Sequence, residues 1–179
     1  MKTTQILIAG FGGQGILFSG KFLAYKGLME DLQVSWLPSY GPEMRGGTAN
    51  CNVVLSDTPV GSPIITTPDV LIAMNLPSLE KYVDTVAPGG QVYVDSSLIE
   101  AKVERTDVEV YYIPATQMAR EEKLGNLGNM IIIGHLLANN KELSFEGAEA
   151  VVNKLVPAKK AAFIELNMKA LMLGKEYGK

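Results

Sequence analysis

The feature that most constrains this chain is a glycine-rich loop directly after a largely apolar run near the N-terminus. Residues 5–9, Gln-Ile-Leu-Ile-Ala, are typical of a strand covered on both faces. Residues 10–15, Gly-Phe-Gly-Gly-Gln-Gly, fit the pattern G-x-G-x-x-G, and helical sequence follows from Ile16 to about Met29. Glycine lets the backbone turn tightly and leaves its N–H groups open to an anion, which the helix N-terminus also attracts. The segment predicts an anion-binding strand–turn–helix unit; a tight turn that binds nothing is the alternative.

The rest of the chain alternates candidate strands with candidate helices. Strands are predicted at 33–37, 48–56, 69–74, 91–95 and 108–113; helices are predicted from Pro77 to the glycines at 89–90, at 116–124, 130–138 and 144–155, and from about Ala158. This order predicts an α/β fold, a Rossmann-like doubly wound, mostly parallel sheet with helices on both faces. We expect one domain over residues 1–179. Ligands of such sheets bind beyond the carboxyl ends of the strands, where the loop at 10–15 would lie.

Composition excludes several classes of function. The formal net charge is −3 and no Lys/Arg-rich run occurs, so nucleic acid is not an expected partner. The single cysteine, Cys51, cannot form an internal disulfide, and it cannot by itself build a zinc or iron–sulfur site. The apolar runs at 1–10 and 130–138 are too short to span a membrane. We therefore expect a cytoplasmic protein with no membrane contact and no metal site of its own.

The end of the second candidate strand argues against an NAD enzyme. A dinucleotide site needs an acidic residue there, about 20 residues after the glycine loop, to hold the ribose. This strand ends in Trp36-Leu37-Pro38-Ser39 and carries no carboxylate.

A second loop, residues 39–47, is the most unusual segment. It places a phenol (Tyr40), a carboxylate (Glu43) and a guanidinium (Arg45) among three glycines. Arginine grips a phosphate or carboxylate through two parallel hydrogen bonds. A ligand-binding loop and an ordinary surface loop with a local Glu43–Arg45 pair are both consistent with this spacing.

Polar residues near the later apolar helix complete the candidates. Asn126 and Asn129 precede the run at 130–138, and Asn129 is predicted to cap that helix. Gly134 would allow another helix to approach closely. His135, the only histidine, is predicted to be a core or interface residue, and Cys51 a small core residue.

Three segments together resemble the gamma subunit of 2-oxoacid:ferredoxin oxidoreductases. They are residues 10–16, residues 39–48, and Leu124-Gly-Asn126 with Asn129-Met130. The second is the most specific, and the resemblance covers about residues 3–173. The sequence is most similar to the 2-oxoglutarate and branched-chain types, although the motifs do not separate these from pyruvate.

The resemblance implies a multisubunit enzyme that decarboxylates a 2-oxoacid on thiamine diphosphate. Electrons pass through iron–sulfur clusters to ferredoxin, and an acyl-CoA is released. Thiamine diphosphate and the clusters belong to partner subunits, alpha and beta, with a delta (ferredoxin-like) subunit as a further candidate. The gamma subunit is linked to coenzyme A binding and assembly, and the resemblance implies no catalytic residue in this chain. The implied cofactor-binding residues are Gly10, Phe11, Gly12, Gly13, Gln14, Gly15, Ser39, Tyr40, Gly41, Glu43, Arg45, Gly46, Gly47, Asn126 and Asn129.

Three interpretations stay open at this point. The chain is a gamma subunit that binds coenzyme A, a purely structural subunit of the same complex, or a free-standing Rossmann-like reductase. Stable assembly with partner chains separates the first two from the third. Direct binding of coenzyme A separates the first from the second.

Overall fold

The computed structural model describes residues 2–39 and 48–178, which form six strands and six α-helices within those ranges. The strands are β1 (Thr3–Phe11), β2 (Gln33–Ser39), β3 (Thr48–Ser56), β4 (Val70–Ala73), β5 (Gln91–Asp95) and β6 (Glu109–Ile113). The helices are α1 (Ile16–Met29), α2 (Leu76–Tyr82), α3 (Ala115–Glu121), α4 (Gly128–Asn139), α5 (Ala148–Leu155) and α6 (Ala161–Glu176). Short 3₁₀ turns follow α2 and precede α6. The helix predicted from Pro77 ends at Tyr82, well before the glycines at 89–90, which instead form the turn into β5.

The strands form one sheet in the order β2-β3-β1-β4-β5-β6. The neighbours β1, β4, β5 and β6 are parallel, whereas β3 is antiparallel to both β1 and β2. Only residues 40–47 separate β2 from β3, and a parallel pair needs a crossover of a dozen or more residues. The predicted α/β fold with a mostly parallel sheet is therefore confirmed, with one reversed strand.

Apolar side chains cover both faces of the sheet unequally. One face packs against α1 and α4–α6 through residues such as Ile8, Ile72 and Phe22. The other face packs against α2 and the segment after β5 through Leu71, Val92 and others. Strands buried on both faces explain the continuous apolar runs in the sequence.

Helices α4 and α6 touch backbone to backbone. A Cβ at Gly134 would overlap the carbonyl oxygen of Leu171, and one at Gly174 would overlap that of Ile131. The predicted close approach at Gly134 is thus confirmed. His135 is buried in the same contact, where Nδ1 lies 3.0 Å from the Gly174 carbonyl oxygen. None of the described helices combines the length and apolarity needed to cross a membrane.

Candidate functional site

The glycine loop begins where β1 leaves the sheet and is tied down by Gln14. The amide of Phe11 donates to Gln14 Oε1 at 2.6 Å, and Gln14 Nε2 donates to the carbonyl oxygen of Met74 at 2.9 Å. Met74 directly follows β4, the parallel neighbour of β1. The side chain of Gln14 therefore fixes the loop against the carboxyl ends of two adjacent strands.

Three positions in this loop require glycine. Gly13 and Gly15 have positive φ, 89° and 75°, which other L-residues rarely adopt. At Gly10 a Cβ would lie 2.6 Å from Gln14 Oε1 and 2.9 Å from Met74 Cβ. Turn geometry and close packing thus explain the glycines at positions 10, 13 and 15.

The start of α1 is open to a ligand. It has no side-chain cap and no acidic residue in its first turn. Within the described part of the chain, the amides of Gly12 and Gly13 make no backbone hydrogen bond, and both residues are exposed. Free amides at a helix N-terminus attract anions.

Asn129 does not cap its own helix, so that prediction is wrong. Helix α4 begins at Gly128 after Leu127, without a side-chain cap. Asn129 Nδ2 instead donates to the carbonyl oxygen of Gly15 at 3.1 Å and to Ser19 Oγ at 2.9 Å. Because α4 already begins at Gly128, Asn129 lies inside the first turn and not at the cap position, and its amide nitrogen reaches acceptors that α1 presents. The buried Asn129 side chain thereby connects the start of α4 to the end of the glycine loop.

A cleft of about 410 Å³ opens at the glycine loop. Its lining residues are Phe11, Gly12, Gly13, Gln14, Met74, Leu98, Thr116, Ala119, Gly125, Asn126 and Gly128. Asn126, one of the implied cofactor-binding residues, therefore lies beside the glycine loop, and its role in binding stays a prediction. Among the described residues that line the cleft none carries a charge. A charged ligand in this cleft would therefore be attracted by backbone dipoles.

Asp95 supports Thr116, a residue in the wall of this cleft. Its carboxylate is fully buried and accepts hydrogen bonds from Thr116 Oγ1 at 2.5 Å, from the amide of Thr116 at 3.2 Å and from the amide of Ser97 at 3.1 Å. These bonds hold the start of α3 against the turn after β5. Asp95 is the last residue of β5, and the structure assigns it to the support of Thr116.

The second predicted loop is described only at its start. Ser39 is exposed at the end of β2, opposite Asn50 on β3, and Asn50 in turn is opposite Ala9 on β1. Two strand spacings of about 4.8 Å put Ser39 about 10 Å from Ala9 at the same edge of the sheet. Tyr40, Gly41, Glu43, Arg45, Gly46 and Gly47 lie outside the described residues, so their role in binding stays a prediction.

Cys51 is a core residue, as predicted. Its side chain is fully buried beneath α1 and is paired in register with Ile8. Burial raises the pKa of the thiol to about 12, against weaker opposing hydrogen bonds from Trp36 and Gly20. A protonated, inaccessible thiol is not a nucleophile. Across residues 2–39 and 48–178, no three His, Cys, Asp or Glu side chains converge so as to hold a metal ion.

Residues 5–177 match the family model described as pyruvate ferredoxin/flavodoxin oxidoreductase. The chain belongs to this family. It is 36% identical over 156 residues to the 2-oxoglutarate synthase subunit KorC of Methanocaldococcus jannaschii, which covers 86% of this chain and 83% of KorC. It is 38% identical over 175 residues to the ketoisovalerate oxidoreductase subunit VorA of Methanothermobacter thermautotrophicus, covering 98% of this chain. That stretch is 36% of VorA, so the chain spans little more than a third of this relative.

Solved structures agree with the family assignment. The gamma subunit of keto/oxoacid ferredoxin oxidoreductase from Geobacter sulfurreducens matches with a TM-score of 0.80 and 31% identity, covering 97% of this chain and 96% of that one. The 2-oxoglutarate:ferredoxin oxidoreductase from Magnetococcus marinus, with 2-oxoglutarate, coenzyme A and succinyl-CoA bound, matches with a TM-score of 0.86 and 29% identity. The match covers 98% of this chain and 31% of that chain. The resemblance to gamma subunits and the predicted fold class are confirmed.

Proposed function

We propose that this chain is the gamma subunit of a multisubunit 2-oxoacid:ferredoxin oxidoreductase and binds the diphosphate of coenzyme A at its glycine loop. The observation that carries the proposal is the uncapped start of α1 beside the exposed amides of Gly12 and Gly13, at a cleft beyond the carboxyl ends of β1 and β4. Backbone amides and a helix N-terminus form a diphosphate site without charged side chains. Residues 1–179 would then act as one gamma-type domain.

The ligand is coenzyme A rather than a nicotinamide dinucleotide. Strand β2 ends at Ser39 without the carboxylate that would hold an NAD ribose. The similar structure from Magnetococcus marinus contains bound coenzyme A. When bound, coenzyme A supplies a thiol that accepts the acyl group, and this chain's part is to bind and orient it. Relatives named for 2-oxoglutarate and for ketoisovalerate make these the candidate substrates, of which we favour 2-oxoglutarate.

Partner subunits complete this proposed enzyme. Thiamine diphosphate and iron–sulfur clusters would lie on alpha, beta and delta (ferredoxin-like) subunits, because clusters need several thiolates and this chain has one cysteine. We therefore expect the purified chain alone to show no 2-oxoacid oxidation when it is given thiamine diphosphate, coenzyme A and ferredoxin. Turnover by the chain alone would contradict the subunit assignment.

A purely structural role is favoured by one observation. Phe11 and Leu98 line the cleft and are 40% and 47% exposed, as expected of apolar side chains that a partner subunit covers. Binding of coenzyme A decides between this role and the proposed one.

The deciding experiment uses the complex reconstituted with its partner subunits. Gly12→Val adds a branched side chain at an exposed position beside the loop amides. Gly61→Val, at a site with no atom within 4 Å of its Cβ position, is the matched control. We expect Gly12→Val to raise the KM for coenzyme A at least about tenfold while thiamine-dependent decarboxylation persists. An unchanged KM in a folded, assembled complex would show that the loop is a structural turn.

A further inference from the structure

Strand β6 lies at one end of the sheet and pairs with β5 on one side only. The amide of Glu109, at the start of β6, points to β5, because it donates to the carbonyl oxygen of Gly90 at 2.9 Å. Backbone groups alternate in direction along a strand, so Val110 and Tyr112 direct theirs to the outer edge. Within the described part of the chain these groups form no hydrogen bond, and both residues are partly exposed. Such an edge is a template for a further strand.

The two ends of the sheet differ in this respect. Strand β2, at the opposite end, contains Pro38, which has no amide hydrogen, and proline in an edge strand disfavours pairing with another chain. Strand β6 has the sequence Glu-Val-Tyr-Tyr-Ile, in which β-branched and aromatic residues favour an extended backbone. Of the two edges, the one at β6 is therefore suited to an added strand.

A groove of about 320 Å³ lies beside residues 110–112 of β6, between this strand and the ends of α4 and α6. Its lining is aromatic. The Tyr111 ring stacks on Tyr93 with the ring centres 4.7 Å apart, and the His135 ring meets Tyr111 edge-on at 5.4 Å. Tyr177 also lines the groove, with its ring centre 5.7 Å from that of His135. A strand added to β6 would therefore find a formed pocket for one of its side chains, as in β-strand addition.

Lysines flank the open edge on both faces of the sheet. Lys175 lines the groove, and its Nζ lies 4.4 Å from the centre of the Phe145 ring. On the other face, Lys102 Nζ lies 4.0 Å from the centre of the Tyr112 ring. Neither lysine forms an ion pair with the described residues. Burial lowers the pKa of the His135 imidazole, so Lys175 is the only described residue in the groove that is charged at neutral pH.

We propose that the open edge of β6 pairs with an extended, acidic segment of a partner subunit, an inference that rests on the subunit assignment above. The backbone groups of Val110 and Tyr112 would hold the segment by main-chain hydrogen bonds. Successive side chains of a strand point to opposite faces, so its carboxylates would meet Lys175 on one face and Lys102 on the other. A second copy of this chain fits less well. Antiparallel pairing about Tyr111 would put both copies of Lys175 on the same face, where like charges repel.

Proline at position 110 tests the backbone pairing, in a titration of the chain with the partner subunits. Val110→Pro removes an amide that points to the open edge and none that pairs with β5, whereas Val110→Ala keeps the amide and is the matched control. We expect Val110→Pro to weaken assembly about tenfold or more, because a partner carbonyl loses its donor, and Val110→Ala to weaken it less than about threefold. Equal effects of proline and alanine on assembly would contradict strand pairing.

Two further measurements keep the test decisive if Val110→Pro folds poorly. Lys175→Glu and Lys102→Glu should each weaken assembly about threefold or more, whereas Lys154→Glu, at an exposed position on α5, should not. In the parent chain, hydrogen exchange of the Val110 and Tyr112 amides should slow at least about tenfold on assembly. The β6 amides that already pair with β5 are the internal control, because they should be protected in the free chain as well.

The outcomes separate this inference from the proposed function. Unchanged exchange at Val110 and Tyr112 in an assembled complex would overturn the pairing with β6 and leave the coenzyme A site untouched. Charge reversals without effect would show that the partner segment is not acidic, and the inference would be wrong. A homodimer of the chain alone that Val110→Pro disrupts would make a second copy the occupant. Failure of the chain to assemble with any partner subunit would remove both the inference and the subunit assignment.

Discussion

Asn129 holds the carbonyl group of Gly15 across 114 residues of chain, with Nδ2 and the carbonyl oxygen 3.1 Å apart. The contact is possible only because residue 15 lacks a Cβ, which would overlap the Asn129 amide. Two motifs that are distant in sequence, the glycine loop and the segment before α4, are thereby joined into one structure. The orientation of the loop depends on this pair.

Gly15→Ala should therefore destabilise the chain more than Gly13→Ala. Both positions have positive φ, which costs an L-residue about 1–2 kcal/mol. Only position 15 adds overlap with Asn129, which should cost about 1–3 kcal/mol more, because nothing lies within 4 Å of a Cβ at Gly13. Urea unfolding of both variants measures the difference. Equal losses of unfolding free energy in the two variants would show that the Asn129 side chain moves aside without a measurable cost.

The local elements could be predicted because their signals lie within short windows of sequence. β1 and α1 follow from an apolar run, a glycine cluster and a helical pattern, and each extends close to its predicted bounds. The antiparallel direction of β3 can also be predicted from the sequence, because the interval at 40–47 is too short for a parallel crossover.

Side-chain partners at the site could not be predicted in the same way. Asn129 before an apolar run is a local capping signal, but α4 begins one residue earlier, and its packing against α1 brings Gly15 and Ser19 within reach of the Asn129 amide nitrogen. Asp95 likewise bonds Thr116, on a different element. Such pairings depend on the relative position of packed elements, which no short window of sequence specifies.

Gly134→Ala should loosen the contact between α4 and α6. Its Cβ would overlap the backbone oxygen of Leu171, and backbone cannot move aside as a flexible side chain can. We expect a loss of at least about 1–3 kcal/mol of unfolding free energy. Gly61→Ala, with no atom within 4 Å, should change stability by less than about 0.5 kcal/mol. A thermal denaturation series of the two variants tests this, and a neutral Gly134→Ala would contradict the described packing.

Cys51 should resist thiol reagents in the native chain. Burial raises the pKa of its thiol to about 12, so at pH 8 it is protonated as well as inaccessible. Because the folded pKa exceeds the ordinary value, this group's contribution to stability is present below about pH 9 and is lost as the pH rises toward 12. Labelling with a chromogenic disulfide at pH 8 should follow the urea unfolding curve. Fast labelling without urea would contradict this burial.

His135 should make stability fall on mild acidification. Burial lowers the pKa of its imidazole below the usual 6.5, with the hydrogen bond to the Gly174 carbonyl opposing this more weakly. The unfolded chain then binds the proton at higher pH than the folded chain, so stability decreases as the pH falls below about 6.5. Because His135 is the only histidine, His135→Gln should flatten the melting temperature between about pH 5.5 and 7.5. Parent and variant profiles of the same slope would rule out this assignment.

Asp95→Asn should disturb the wall of the cleft at the glycine loop as well as the fold. The carboxylate of Asp95 accepts from two backbone amides and from the Thr116 hydroxyl, and an asparagine offers one oxygen in place of two. Its NH₂ group would face a donor in the buried site, at a cost of about 1–3 kcal/mol. Asp31→Asn is the matched control, because Asp31 is exposed with φ 56°, a conformation that asparagine tolerates well. Urea unfolding should show a loss of unfolding free energy for Asp95→Asn and a change under about 0.5 kcal/mol for Asp31→Asn.

Since Thr116 lines the cleft, hydrogen exchange of the backbone amides at the start of α3 should also accelerate in Asp95→Asn alone. Unchanged exchange at Thr116 and Gln117 would mean that other contacts hold this helix in place.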